Sequence, residues 1–155
     1  MPVGAYGGRR DIMSVVSPVG KVYQAGTLSG NPIAMRAGIT QLRILQEDRG
    51  IYGRIGALGE RLRSGLKKAV EAAGLPYRVT GIGSLSCLYF TDAEVCDYES
   101  AKSSDTGRFA AYFRHMLDHG SYIGPSQFEA LFVSAAHTDE DIDKTVKDAE
   151  EYFGA

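Results

Sequence analysis

The stretch Tyr23-Gln24-Ala25-Gly26-Thr27-Leu28-Ser29-Gly30-Asn31-Pro32 is the most informative segment of this chain. Small side chains, glycines and hydroxyl groups lead directly into an Asn-Pro pair. Asn31 is a favourable N-cap, and Pro32 suits the first helical position, where its missing N–H would have no partner in any case. A loop before a helix N-terminus offers N–H groups and a positive dipole to a phosphate or carboxylate. On spacing alone, the segment is a weak indication of an anion site.

The composition is that of a globular chain. Its 155 residues, 44% hydrophobic and 23% charged, suit one domain or one domain with part of a second. The 17 basic and 19 acidic residues are interspersed, without the Lys and Arg clusters that bind nucleic acid. Cys87 and Cys96 lack metal-ligand spacing, no apolar run reaches the roughly 20 residues that span a bilayer, and the first residues lack a signal-peptide pattern. We therefore expect a cytoplasmic protein with reduced thiols and no metal, membrane or nucleic-acid partner.

Helical and strand-like patterns alternate along the chain. The longest helical pattern places apolar residues at spacings of three and four from Ile51 to Val70, and Gly74 supplies its stop. Thr138 with Asp141 makes a capping-box-like start for a last helix that reaches about Phe153. This order predicts an α+β or α/β layer arrangement. The predicted elements are helices over 9–16, 32–46, 51–73, 107–118 and 138–153 and strands over 78–81, 84–90, 121–123 and 131–136, with a polar stretch over 92–106.

As a full string, the segment from Tyr23 to Pro32 resembles the phosphate-contacting loop of class III pyridoxal-phosphate (PLP) aminotransferases, in the version of their glutamate-1-semialdehyde 2,1-aminomutase branch. Further blocks carry the resemblance along essentially the whole chain. The run Pro125-Ser126-Gln127-Phe128-Glu129-Ala130 points to the aminomutase branch in particular. The other matching blocks are 2–9, 81–91 and 120–138.

The resemblance implies a fold-type I PLP-dependent transferase. Residues 1–48 correspond to the carboxy-terminal piece of its large PLP-binding domain. Residues 49–155 correspond to its small carboxy-terminal domain, a small antiparallel sheet covered by helices. Family enzymes of this branch are homodimers that convert glutamate-1-semialdehyde to 5-aminolevulinate, a precursor of tetrapyrroles such as porphyrins. We expect the same activity of an intact protein containing this chain.

The family's Schiff-base lysine has no counterpart among the lysines of this chain, and the resemblance puts it upstream of Met1. The lysines stand at positions 21, 67, 68, 102, 144 and 147. We therefore assign no catalytic residue here and expect a carboxy-terminal fragment, roughly the last third of the enzyme, that is inactive alone and does not bind PLP covalently.

Gly26 and Thr27 are the predicted cofactor-binding residues. By resemblance, the Thr27 hydroxyl and the neighbouring N–H groups reach across the dimer interface to the phosphate of the other subunit's cofactor. Neutral donors beside a helix start can hold a dianion without a mobile charge. The alternative is that Thr27 only organises the turn with Ser29.

Glu129 and Ser126 are the predicted substrate-binding residues. Class III aminotransferases usually offer an arginine in this region to the α-carboxylate of the substrate, but no arginine follows Arg114. The aminomutases carry a glutamate here, and their substrate has an aldehyde where amino acids have that carboxylate. Gln127 could shape the same pocket. The alternatives are an exposed loop glutamate and an ordinary turn.

Two other functions stay open. The chain could belong to another class III aminotransferase that acts on an ω-amino or ornithine-like substrate, although the missing arginine disfavours this. It could also be a non-catalytic oligomerisation module that uses the former dimer face. For Cys87, the interpretation is a small buried apolar residue.

Overall fold

The computed structural model describes residues 3–154, and contacts divide the chain into two units, Met1–Arg49 and Gly50–Ala155. The first unit contains helix α1 (Arg10–Met13) and helix α2 (Pro32–Glu47). Helix α1 is shorter than the predicted 9–16, because Val16 leaves the helix and forms a parallel bridge with Val22. Helix α2 begins at the predicted Asn-Pro pair and has the predicted length.

The second unit is a three-stranded antiparallel sheet with helices packed on it. Its elements are α3 (Gly50–Ala72), β1 (Arg78–Ile82), β2 (Leu85–Tyr89), α4 (Tyr98–Ala101), α5 (Thr106–Asp118), β3 (Leu131–Phe132) and α6 (Asp139–Gly154). The strands lie in the order β1-β2-β3, so both connections join neighbouring strands. Helix α3 packs against α6 and against β1 and β2, and α5 also packs against α6. No helix within residues 3–154 combines the length and the apolar character that crossing a bilayer requires.

The core of this unit lies between the sheet and helices α3, α5 and α6. The predicted stripe of α3 is confirmed from Leu58 to Val70, where its members belong to the buried core, whereas Ile55 is only half-buried. Leu66 is fully buried, which stabilises the fold by about 1.5–3 kcal/mol relative to an exposed side chain. The rings of Tyr112 and Phe153 stack with centroids 5.6 Å apart, which ties α5 to α6. The remaining buried apolar members of this core include Leu58, Leu62, Val70, Val79, Leu88, Phe90, Met116 and Ile142.

Local capping determines where several helices begin and end. Thr138 and Asp141 form the predicted reciprocal box, since the Asp141 N–H donates to Thr138 Oγ1 at 3.2 Å and the Thr138 N–H donates to Asp141 Oδ2 at 2.8 Å. Gly74 follows α3 with φ +65°, a left-handed conformation that glycine adopts without a steric penalty. These signals involve neighbours in sequence, so they could be predicted without knowledge of the fold.

Two of the predicted strands differ from the structure. Residues 121–123 form no strand, because the Ser121 N–H donates to Met116 O at 2.8 Å and closes the end of α5. The strand predicted over 131–136 is limited to Leu131–Phe132. It cannot continue past Val133, since the Ser134 N–H turns to His137 Nδ1, 3.0 Å away.

The predicted polar stretch 92–106 contains a short helix, α4. Asp97 is its N-cap, and its carboxylate accepts the Ser100 N–H at 2.8 Å, while Ser100 Oγ accepts the Asp97 N–H at 3.1 Å.

Cys87 is only half-buried, because it lies on the face of the sheet opposite α3, and its thiol donates to Glu129 O at 3.4 Å. The prediction of a buried apolar cysteine was therefore wrong.

Candidate functional site

A tight turn precedes helix α2 and contains the predicted cofactor-binding residues Gly26 and Thr27. The Ser29 N–H donates to Gly26 O at 2.9 Å, and the Asn31 N–H donates to Leu28 O at 3.1 Å. A Cβ at Gly26 would lie 2.9 Å from Ser29 Oγ, so only glycine lets the serine hydroxyl approach this closely. Gly26 and Ser29 therefore shape the turn without the Thr27 side chain.

The first turn of α2 has little hydrogen-bonding capacity left for a ligand. Asn31 Oδ1 accepts the N–H groups of Ile33 and Ala34 at 3.0 and 3.1 Å, and Asn31 O accepts that of Met35 at 2.9 Å. Pro32 has no N–H. Asn31 thus satisfies the donors that a helix N-terminus ordinarily offers to an anion, and the helix contributes its dipole alone.

The donors available to an anion come from the preceding turn. Within residues 3–154, the Thr27 N–H, the Thr27 hydroxyl and the Leu28 N–H have no hydrogen-bond partner. Thr27 is exposed. Together with Val3, Gly4 and Met35, this turn borders an open depression of about 540 Å³. None of the described residues that line it carries a charged side chain, so neutral donors and the dipole of α2 would have to hold an anion here. Neutral donors of this kind can hold a phosphate.

The second unit places the predicted substrate residues in a turn that precedes β3. The Glu129 N–H donates to Ser126 O at 3.0 Å, and Ser126 Oγ accepts the Phe128 N–H at 3.3 Å. The Ser126 hydroxyl therefore stabilises the turn, and Ser126 does not line the hollow beside Glu129. Its role toward a substrate stays a prediction.

Glu129 lies beside a hollow of about 340 Å³ at one end of the sheet. Its carboxylate folds over Gly124, where a Cβ would lie 3.1 Å from Glu129 Oε2. Tyr122, Phe132 and His137 line the same hollow. The carboxylate is exposed, so it can meet a solute that enters. The same hollow has a largely apolar floor, formed by side chains that include Leu62, Ile123, Leu131, Val133 and Ile142.

Gln127 is buried in the structure and does not line this hollow. Its carboxamide bonds the main chain of Leu88 and Phe90. Gln127 therefore does not contact this hollow itself, and a part for it in shaping the pocket stays a prediction. No feature of the local sequence indicates the burial, since both partners lie 37 or more residues earlier.

Arg63 was not predicted as a structural residue, yet it is buried between α3 and the β1–β2 hairpin. Its Nη1 donates to Gly83 O at 2.8 Å and to Leu85 O at 3.0 Å. Its Nη2 donates to Glu60 Oε2 at 2.8 Å, and this bond lowers the pKa of the Glu60 carboxyl. Arg63 therefore fixes the hairpin turn against the helix.

A second buried charge joins α5 to α6. Asp148 accepts hydrogen bonds from Lys144 Nζ at 2.7 Å and from Ser121 Oγ. Burial by itself raises the pKa of Asp148, but the bonds from Lys144 and Ser121 outweigh it and the net pKa is lowered. On the sheet, burial and the neighbouring Cys87 raise the pKa of Tyr89 to about 12.

Comparison with known proteins identifies the family. A family model described as aminotransferase class III matches residues 1–150. Glutamate-1-semialdehyde 2,1-aminomutase of Acetivibrio thermocellus is 59% identical over 153 residues, which are 99% of this chain and 35% of that protein. Glutamate-1-semialdehyde 2,1-aminomutase 2 of Lachnoclostridium phytofermentans is 55% identical over 99% of this chain and 36% of its own length. This chain thus spans about a third of these curated relatives.

A solved structure described as a transaminase with PLP bound superposes with a TM-score of 0.74 at 30% identity, over 95% of this chain and 33% of that one. The predicted resemblance and the predicted fold class, part of a fold-type I transferase with a small antiparallel sheet covered by helices, are confirmed. The chain belongs to the class III aminotransferase family.

Proposed function

We propose that this chain forms part of a glutamate-1-semialdehyde 2,1-aminomutase, which converts glutamate-1-semialdehyde to 5-aminolevulinate for the synthesis of tetrapyrroles. The observation that carries the proposal is the 55–59% identity to curated aminomutases over 99% of the chain. We expect no turnover from these 155 residues alone, since none of their lysines corresponds to the lysine that holds PLP in the family. The free thiols Cys87 and Cys96 are in keeping with a cytoplasmic enzyme.

Gly26 and Thr27 are the residues that would contact the cofactor. When bound, PLP supplies the electron sink for the exchange of the amino group. In the proposed homodimer, the Thr27 hydroxyl and the N–H groups of Thr27 and Leu28 donate to the phosphate of the partner subunit's PLP. The support for this role is that these donors have no other partner among the described residues. The capped tip of α2 adds its dipole to the same end of the turn.

Glu129 would act on the choice of substrate. A carboxylate at this hollow repels the α-carboxylate of ordinary amino acids, whereas an arginine would bind it in a bidentate manner. The substrate of the proposed reaction has an aldehyde at that position and is not rejected. Because no arginine follows Arg114, the second unit offers no alternative guanidinium from its β3–α6 region.

The test is a chimera in which this chain replaces the matching third of the Acetivibrio thermocellus enzyme. We expect it to convert glutamate-1-semialdehyde to 5-aminolevulinate without any added amino donor. In the same chimera, Thr27→Val removes one hydroxyl donor and should weaken PLP binding on the order of tenfold. The matched control is Thr40→Val, since Thr40 Oγ1 donates to Arg36 O of its own helix at 2.9 Å and bonds no other residue of the part of the chain that the structure describes. Equal PLP affinity in both variants would exclude the Thr27 hydroxyl from the phosphate site.

A second candidate is an aminotransferase that moves an amino group between two substrates. The similarity to the PLP-bound transaminase structure favours it. A chimera that needs a separate amino donor and acceptor would support this candidate and refute the aminomutase assignment. A soluble, dimeric chimera without PLP binding or turnover would instead support the oligomerisation module.

A further inference from the structure

Past the N-terminal end of β3, the Gln127 side chain continues the hydrogen bonds that β3 makes to the edge of β2. Strand β3 pairs with β2 only at Leu85↔Phe132 and Ser86↔Leu131. In an antiparallel ladder, alternate residues present their main-chain groups to the same edge. After Ser86, Leu88 and Phe90 are therefore the next residues to face the edge of β2 on which β3 lies. Gln127 Nε2 donates to Leu88 O at 2.8 Å, and Gln127 Oε1 accepts the Phe90 N–H at 3.2 Å. The carboxamide thus satisfies two main-chain groups that a longer β3 would pair.

This contact also determines where Glu129 lies. Gln127 is the second residue of the turn Ser126–Glu129, which the Glu129 N–H closes onto Ser126 O at 3.0 Å. Only 3% of Gln127 is exposed, so the turn is anchored to β2 at its second position. A further contact to the same strand comes from the thiol of Cys87, which donates to Glu129 O at 3.4 Å. The main chain that carries the Glu129 carboxylate is therefore held along β2.

We propose that Gln127 is a positioning residue for Glu129, and that its carboxamide fixes the turn whose last residue presents the carboxylate to the hollow. The significance of that carboxylate for substrate choice rests on the proposed function. An amide is required because one group must donate to a carbonyl and accept from an N–H at the same time. An apolar side chain of similar length would leave both main-chain groups buried without a partner.

The first experiment uses the 155-residue chain and measures hydrogen exchange of single amides by NMR. In Gln127→Met, the Phe90 and Glu129 amides should exchange on the order of tenfold faster than in the wild type. The control is Gln46→Met, because Gln46 is exposed on α2, and it should leave both amides unchanged. Unchanged exchange of Glu129 in Gln127→Met would overturn the proposal.

Gln127→Glu provides the conservative rescue. A protonated carboxyl group can donate to Leu88 O and accept from the Phe90 N–H, as the amide does, whereas the carboxylate repels Leu88 O. Burial raises the pKa of such a carboxyl. At about pH 4.5, the Phe90 and Glu129 amides of Gln127→Glu should exchange as slowly as those of the wild type at the same pH. At about pH 7, they should exchange as fast as those of Gln127→Met at that pH. The same exchange at both pH values would contradict the requirement for a donor.

The second experiment is a double-mutant cycle in the chimera, with Gln127→Met, Glu129→Gln and both together. Gln127→Met alone should lower the preference for glutamate-1-semialdehyde over an amino acid that carries an α-carboxylate, measured as the ratio of their kcat/KM values, on the order of tenfold. In the Glu129→Gln background, Gln127→Met should lower this preference less than about twofold, since there is no carboxylate left to position. Effects that multiply would overturn the proposal. A wild-type chimera without aminomutase activity would count against the proposed function alone, and the exchange measurements would still decide whether Gln127 positions Glu129.

Discussion

Helix α3 and the β1–β2 hairpin approach so closely at Gly59 that any side chain there should destabilise the second unit. A Cβ at this position would lie 2.3 Å from Gly83 O and 2.9 Å from Ser84 Cα. Non-bonded carbon atoms ordinarily stay about 3.5 Å apart, so helix and hairpin would have to separate by about 1 Å. Both atoms belong to the main chain and cannot rotate away. The hairpin is also held in place by the bonds from Arg63 to Gly83 O and Leu85 O.

The magnitude for Gly59→Ala follows from two opposing effects. Alanine is favoured over glycine in a helix interior by about 1 kcal/mol. Overpacking costs about 1–3 kcal/mol, and a weakened hydrogen bond from a charged donor such as Arg63 costs about 1.5–3 kcal/mol. The free energy of unfolding should therefore fall by about 1.5–5 kcal/mol.

Gly56→Ala is the matched control, one turn earlier on the same helix. Apart from its chain neighbours and the backbone of its own helix, no heavy atom of the described residues lies within 4 Å of a Cβ at Gly56, so only the helical preference acts. This variant should be more stable than the wild type by about 0.5–1 kcal/mol. Thermal unfolding followed by far-ultraviolet circular dichroism should separate the two melting temperatures by about 10 °C or more. If Gly59→Ala melts at or above Gly56→Ala, the close approach of helix and hairpin is wrong.

The buried charges give two further predictions. Arg63→Met should lower the free energy of unfolding by about 2 kcal/mol in urea titrations, because Gly83 O and Leu85 O lose their buried donor; an unchanged midpoint would show that the bonds contribute nothing. Asp148→Asn should cost about 1–2 kcal/mol at neutral pH, since it removes the ion pair to Lys144. Folding lowers the pKa of Asp148. The contribution of Asp148 to stability is therefore present above its pKa in the unfolded chain, about 3.9, and is lost as the pH falls through its pKa in the folded chain. The stability difference between wild type and variant should narrow in acid, and a constant difference would contradict this account.

The candidate cofactor turn shows how far local sequence leads. The Asn-Pro pair correctly predicts the start of α2, because an N-cap and its acceptors are at most three residues apart. The same pattern suggested donors at the helix tip, yet Asn31 occupies them itself. The donors that remain for an anion lie in the turn around Thr27. Which N–H groups are bonded within the protein and which are open to a ligand depends on the folded backbone. The role of Thr27 across a subunit boundary stays a prediction.

The Glu129 turn shows the opposite case. The motif around Pro125–Ala130 indicated the region and the family resemblance. Neither the burial of Gln127 nor the separation of Ser126 from the hollow could be predicted from it. Gln127 finds its partners 37 and 39 residues away, on a strand edge that is free only because β3 is short. The pairing of that edge is a property of the folded sheet.

The amino-acid sequence by itself determined the family, the long helices, the hairpin and the caps at Asn31, Gly74 and Thr138, because apolar periodicity and capping act between residues a few positions apart. Tertiary structure alone decided which polar side chains are buried, namely Arg63, Asp148 and Gln127, and where β3 ends. The physical reason is desolvation. A polar group is stable in the interior only when distant segments supply its hydrogen-bond partners, and those segments come together only in the folded chain.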